Sequence, residues 1–224
     1  MLDKIRAYLD DHEYFFLIIS HVAMMILYPF VVTEWGSSVW LHLLITLILI
    51  TWLYAVNTHR KFVMSSLVLW GISLALTWMS FAYIDDYVIT LLFNIVGLLF
   101  FLIITINLII NLYTFDEVDH HMVFGAIAGY LLLWLLWAFM FAIIEITHPG
   151  SFAWFDVMNV SFPDFMYFSY VNMTTLWFGD VVPVSYHAQS WSILLSISGQ
   201  MYLAVMIGMI VGKYVRRKKI IPKL

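Results

Sequence analysis

Long apolar runs separated by short polar connectors dominate this chain. An α-helix needs about 17–25 apolar residues to cross a hydrocarbon layer. Such runs cover residues 14–32, 39–56, 62–84, 87–113, 122–144 and 190–211, six in all. The pattern predicts an all-α membrane protein with six transmembrane helices, joined by polar connectors at 33–38, 57–61, 85–86 and 114–121. The segment 145–189 breaks the rhythm, being too long for a tight connector and too polar for a seventh span.

Charge adds orientation. Every Lys and Arg falls in one of three places: Lys4 and Arg6 before the first run, Arg60 and Lys61 after the second, and Lys213, Arg216, Arg217, Lys218, Lys219 and Lys223 after the sixth. With six spans all three lie on one side, and basic loops stay cytoplasmic. Both termini are expected in the cytosol of a plasma (inner) membrane protein, with Glu34, Asp85, Asp86 and the segment 145–187 outside. Asp10, Asp11 and Glu13 precede the first run and no small-residue cleavage site follows it, so that run reads as an uncleaved signal anchor. The cluster from Arg216 to Lys219 is read as a topology signal and helix anchor, with anionic lipid headgroups as the alternative contact.

Composition agrees: 64% of the 224 residues are hydrophobic and only 11% charged. No soluble core of this size hides so much apolar surface. Cysteine is absent, which excludes disulfides, thiolate nucleophiles and sulfur-ligated metals. Neither HExxH nor GxSxG occurs and no paired membrane aspartates are found, so an enzyme is not expected. Neither is a nucleic-acid partner.

Within the exceptional segment, Pro163 and Asp164 open an aromatic-rich stretch at 165–174. Proline suits the first helical positions and an acid complements the N-terminal dipole. The stretch is about half the length that spans a bilayer, so it predicts a helix that enters and returns. Thr174, Thr175, Leu176, Trp177, Phe178, Gly179 and Asp180 follow, then Pro183. Non-helical backbone at membrane depth survives only inside protein or along a water-filled cavity. Threonine hydroxyls and successive carbonyls are hard oxygen donors, suited to a dehydrating monovalent cation.

This stretch resembles the potassium-channel pore domain, whose filter has the form Thr-Val-Gly-Tyr-Gly-Asp with a proline beyond. Thr174 and Thr175 match the paired threonines, Leu176 the apolar residue, Phe178 the aromatic, Gly179 the second glycine, Asp180 the acid and Pro183 the proline. Trp177 departs from the pattern, standing where the family has its first filter glycine. GAIAGYLLLWLLWAF (125–139), HPGSF (148–152) and GQMYLAV from Gly199 are also similar to small bacterial ion-channel proteins. The resemblance implies a homotetramer passing potassium ions through a filter built from one loop per chain. It implies that Thr175, Leu176, Trp177, Phe178 and Gly179 contact the ion, that the Thr175 hydroxyl is one of the ligands, and that Asp180 concentrates cations at the outer mouth. It also implies a hinge at Gly199, for which a close packing contact is the alternative.

The chain divides on this reading into a peripheral four-helix domain (1–113), a cytoplasmic connector (114–121), a pore domain (122–214) and a basic tail (215–224). No Lys or Arg lies between Lys61 and Lys213, so voltage sensing by gating charges is not expected. With so few residues after the sixth run, control by a fused cytosolic regulatory domain is not expected. His21, His42, Asn94, Asn107 and Asn111 fall inside spans, as functional groups or as interhelical hydrogen-bonding ones. Thr114 and Glu117 have capping-box spacing. His120 and His121 are candidates for a cytosolic pH sensor or for plain surface residues. Two small-xxx-small pairs, Gly125 with Gly129 and Gly208 with Gly212, could bring helices close. Two other functions stay open beside a passive cation channel: a non-selective or non-conducting homologue, because of Trp177, and a transporter or membrane scaffold that keeps a re-entrant loop.

Overall fold

The computed structural model describes residues 13–33, 38–55, 60–82, 86–115, 118–154 and 160–220. Lys4, Arg6, Glu34, Asp85, Glu117 and Lys223 lie outside them. The described chain forms seven helices: α1 (Glu13–Thr33), α2 (Ser38–Ala55), α3 (Arg60–Ala82), α4 (Tyr87–Thr114), α5 (His120–Thr147), α6 (Phe162–Met173) and α7 (Tyr186–Ile220). Two three-residue strands, β1 (Phe152–Trp154) and β2 (Val181–Pro183), pair antiparallel, with Ala153 opposite Val182. That small ladder was not anticipated by an all-α reading, because three residues carry too little alternation to register as a strand.

Among the described residues, three helical stretches are long and apolar enough to cross a membrane: Tyr87–Thr114, His120–Thr147 and Tyr186–Arg216. In α1, α2 and α3, helices of 21, 18 and 23 residues, the described side chains include the apolar stretches Tyr14–Leu27, His42–Thr51 and Leu67–Met79. The molecule is a helical membrane protein.

Aspartates start the two central helices. Asp86 Oδ1 accepts the Ile89 N–H at 2.9 Å, and Asp119 Oδ1 accepts the Met122 N–H at 2.9 Å. Each satisfies one of the backbone donors that a helix start leaves open. The capping box expected at Thr114 is corrected here. Thr114 ends α4 instead of starting α5, and its hydroxyl donates back to the Asn111 carbonyl at 2.7 Å. Asp119, immediately before the helix, takes the cap. The last helix starts at Tyr186 and continues to Ile220, beyond the apolar run at both ends. Lys and Arg are good helix formers, so the helix continues into the basic sequence after the apolar run.

Consecutive helices pack from α1 to α5, α1 also leans on α5, and α5 further meets α6 and α7. The centre is therefore α5, of whose spanning window 61% is buried, against 17% in α7. Its Phe139 stacks on Phe101 of α4 at 5.5 Å and meets Phe162 of α6 at 4.5 Å. Two residues further on, Phe141 meets Phe168 of α6 edge-on at 5.0 Å, and Phe168 meets Phe152 of β1 at 5.1 Å. Lipid tails are as apolar as these rings, so shape-matched dispersion contact holds the helices together more than transfer from water does. Small residues allow the approach: a Cβ on Gly125 would stand 2.8 Å from Leu112 Cδ2, and one on Gly129 would overlap the Tyr202 hydroxyl. The Gly208 and Gly212 pair faces nothing within 4 Å.

At the far end of α7, the Lys213 ammonium donates to the carbonyls of Leu112 (3.2 Å), Tyr113 (3.1 Å) and Phe115. A cation thus meets the negative end of the α4 dipole and satisfies carbonyls that have no intrahelical partner.

Candidate functional site

Helix α6 is built to stop and start within a short length. Asp164 Oδ2 accepts both the backbone N–H of Ser161 (2.7 Å) and its hydroxyl (2.8 Å), with Pro163 in the first turn. Twelve residues rise roughly 18 Å, which falls short of the hydrocarbon thickness of about 30 Å. Phe165, Met166, Phe168, Val171 and Met173 are buried against the rest of the molecule. The helix begins three residues earlier than the 165–174 stretch indicated, because Ser161 supplies the cap, and Thr174 closes it.

The loop after α6 folds its donors backwards. The N–H groups of Thr174, Thr175 and Leu176 bond the carbonyls of Tyr170 (3.0 Å), Asn172 (3.1 Å) and Val171 (3.0 Å). Among the described residues, no hydrogen bond is accepted by a carbonyl of 174–180. Within 175–179, φ is positive at Thr175 (61°), Trp177 (40°) and Gly179 (75°) and at neither residue between. Trp177 therefore takes the left-handed backbone that glycine adopts freely, at a cost of roughly 1–2 kcal/mol for an L-residue. A strand turns successive peptide groups to opposite sides. Alternating handedness sends successive N–H groups one way, leaving the carbonyls free to share the other. Leu176, Trp177 and Phe178 are 55%, 50% and 67% exposed in the single chain.

Asp180 is tied down at both oxygens: Oδ2 accepts the Tyr167 hydroxyl at 2.5 Å, and Oδ1 accepts the Val181 N–H at 3.1 Å. Desolvation, then the hydrogen bond to Asp180 and its charge, push the Tyr167 hydroxyl up to about 12, so it remains a donor at neutral pH. The sequence reading missed Tyr167, since only the fold brings 167 and 180 together. It also missed the structural task of Glu145, whose carboxylate accepts the N–H groups of Gly150 (2.7 Å), Ser151 (3.0 Å) and Phe152 (3.2 Å). That closes the turn into β1, where Gly150 has φ +81°. β1 then holds β2, which directly follows Asp180.

Helix α7 runs unbroken through Gly199, and a Cβ there would overlap Met173 Cγ at the end of α6. Close contact accounts for that glycine without a bend. Tyr130 donates to the Met173 carbonyl (3.3 Å), Trp137 to the Ser198 hydroxyl (3.0 Å) and Tyr202 to the Ala126 carbonyl (2.8 Å), so α5 braces both α6 and α7. On another side of α7, Ile193, Ile197, Met201 and Val205 form an exposed stripe at four-residue spacing.

The remaining candidates do not join this site. Asn94, Asn107 and Asn111 are buried along α4, and the Asn94 amide donates to Thr90 in its own helix at 2.8 Å. His21 is buried in α1 against the Leu17 carbonyl at 3.0 Å, and His42 is buried in α2. His120 and His121 lie ring to ring at 4.2 Å at the start of α5. Among the described residues no three His, Cys, Asp or Glu side chains cluster as a metal site.

Residues 129–216 match a family model described as an ion channel. No curated protein and no solved structure matches the chain. The matched residues include most of α5, all of α6 with its loop, and α7 up to Arg216. Families of this kind are not enzymes. Residues 129–216, the stretch that carries α6, its loop and α7, are thus similar to the ion-channel family.

Proposed function

We propose that this protein is a passive cation channel in which four copies place residues 175–179 around a shared axis and select potassium. The alternation of φ sign along 175–179 carries this reading. It supplies a run of unpartnered carbonyls, and with the Thr175 hydroxyl these are hard donors that fit a dehydrated potassium ion as the permeant substrate. The C-terminal end of α6 directs its negative partial charge toward the loop. Asp180, held by Tyr167, raises the local cation concentration outside.

Tetramerisation is supported by what one chain leaves uncovered: the stripe on α7 and the apolar side chains of 176–178. With α1, α2 and α3 crossing as well, six spans place both termini in the cytosol of a plasma membrane. Helices α1 to α4 then form a peripheral domain around the pore unit 122–214, contacting lipid.

Trp177 favours a second reading, a weakly selective or non-conducting homologue, because a half-exposed indole sits in the ion-contacting stretch. Flux from liposomes containing the purified protein tests both. Potassium flux exceeding sodium flux supports the channel, equal fluxes support the weakly selective form, and no flux even after Trp177→Gly ends the channel reading.

A further inference from the structure

A pair of histidines lies outside the loop just described. His148 closes α5 and His187 sits in the first turn of α7, and their rings lie side by side with centroids 4.8 Å apart. Both are exposed, and both backbones are fixed. The His148 N–H donates to the Ile144 carbonyl at 2.8 Å, and its own carbonyl accepts the Ser151 hydroxyl at 2.7 Å. The Ser151 carbonyl in turn accepts the N–H groups of Val184 (2.9 Å) and Ser185 (3.2 Å). Ser185 Oγ then caps α7 by accepting the Ala188 N–H at 3.1 Å, one residue after His187. These bonds, relayed by Ser151 and Ser185, tie the His148 backbone to the first turn of α7, which carries His187.

The tautomer of His148 follows from its neighbour. Thr147 Oγ1 has a single proton, which the Ile143 carbonyl takes at 2.7 Å. Its contact of 3.0 Å with His148 Nδ1 then runs the other way, with Nδ1–H donating to the hydroxyl oxygen. The lone pair is left on Nε2. A ligating histidine is usually oriented by such a bond from its other nitrogen. Two imidazole nitrogens on a tetrahedral zinc ion stand about 3.3 Å apart, from Zn–N bonds of roughly 2.0–2.1 Å. The ring centroids, 4.8 Å apart, put the two side chains within reach of one shared ion.

We propose that His148 and His187 form a binding site for a borderline divalent transition-metal ion of the zinc class, each giving one nitrogen, with water completing the shell. The ion would bridge the end of α5 to the start of α7, on the side of the molecule that carries β1 and β2. This assignment stands apart from ion conduction, and its test reads binding alone.

The test is calorimetric titration of zinc into the full-length protein in lipid nanodiscs. A tag free of histidine and a His120→Ala, His121→Ala background remove the other adjacent pair. One saturable zinc per chain is expected, abolished by His148→Ala and separately by His187→Ala, and weakened about tenfold or more by Thr147→Val. Zinc should also raise the thermal midpoint of the parent and of neither histidine variant, whose zinc-free midpoints report that they fold. Absence of saturable binding in the parent overturns the site, as does binding that survives either histidine substitution. Unchanged affinity in Thr147→Val overturns the orientation assigned to His148.

Discussion

Replacing Trp177 by glycine and, separately, by alanine isolates the backbone at that position from the indole. Both variants delete the ring, so their difference reports the conformation that residue 177 adopts. With φ at 40°, alanine bears the left-handed penalty of roughly 1–2 kcal/mol that glycine avoids. Glycine loses more chain entropy on folding, which returns about 0.4–1 kcal/mol to alanine. The net expectation is that Trp177→Gly is more stable than Trp177→Ala by about 0.5–1 kcal/mol per chain, multiplied by the number of copies unfolding together. At Leu176, where φ is negative, only the entropy difference operates, and Leu176→Ala should exceed Leu176→Gly by about 0.5–1 kcal/mol. The order of glycine and alanine therefore reverses between two adjacent residues. Thermal unfolding of the four variants in one detergent, followed by intrinsic fluorescence, reads the order directly. Alanine more stable than glycine at both positions would refute the alternating backbone on which the filter assignment depends.

Other consequences follow from contacts between distant parts of the chain. Tyr167→Phe removes the donor to Asp180 and should cost about 1 kcal/mol at this partly exposed site. It should also shorten sustained potassium flux, and unaltered flux and stability would show that the tether is idle. Lys213→Met keeps the apolar stem but leaves the carbonyls of Leu112, Tyr113 and Phe115 without their cation. A loss of about 1 kcal/mol is expected, with faster amide exchange at the end of α4. Gly129→Ala should destabilise by roughly 1–3 kcal/mol through overlap with Tyr202, whereas Gly208→Ala, with nothing within 4 Å in one chain, should leave monomer packing unchanged. A thermal midpoint series distinguishes these two glycines.

The parts of the fold that were legible in the sequence are those governed by local rules. Runs of apolar residues marked the helices, and the proline and acid of 163–164 marked a short helix ahead of Thr174. Thr114 shows where local spacing misled: a threonine three residues before an acid fits a helix start, but Asp119 lies nearer the helix and its carboxylate is the stronger cap. The extension of α7 to Ile220 was hidden because charge ends a hydrophobic run without ending a helix. Contacts across large sequence separations were not legible. Gly199 against Met173, Lys213 against α4, Tyr167 with Asp180 and His148 beside His187 all depend on how α5, α6 and α7 cross. Nor could residue type alone disclose that Trp177 keeps a glycine-like backbone, since that conformation is imposed by the turn that folds 174–176 back on α6.

An electron cryomicroscopy structure of the purified assembly in potassium bears most directly on the proposed pore. The expected result is four chains around one axis, with the α7 stripe at the subunit contacts and ion density between rings of carbonyls from Thr175 to Phe178. An assembly in which the four loops do not meet, or in which those carbonyls face away from the axis, would contradict it.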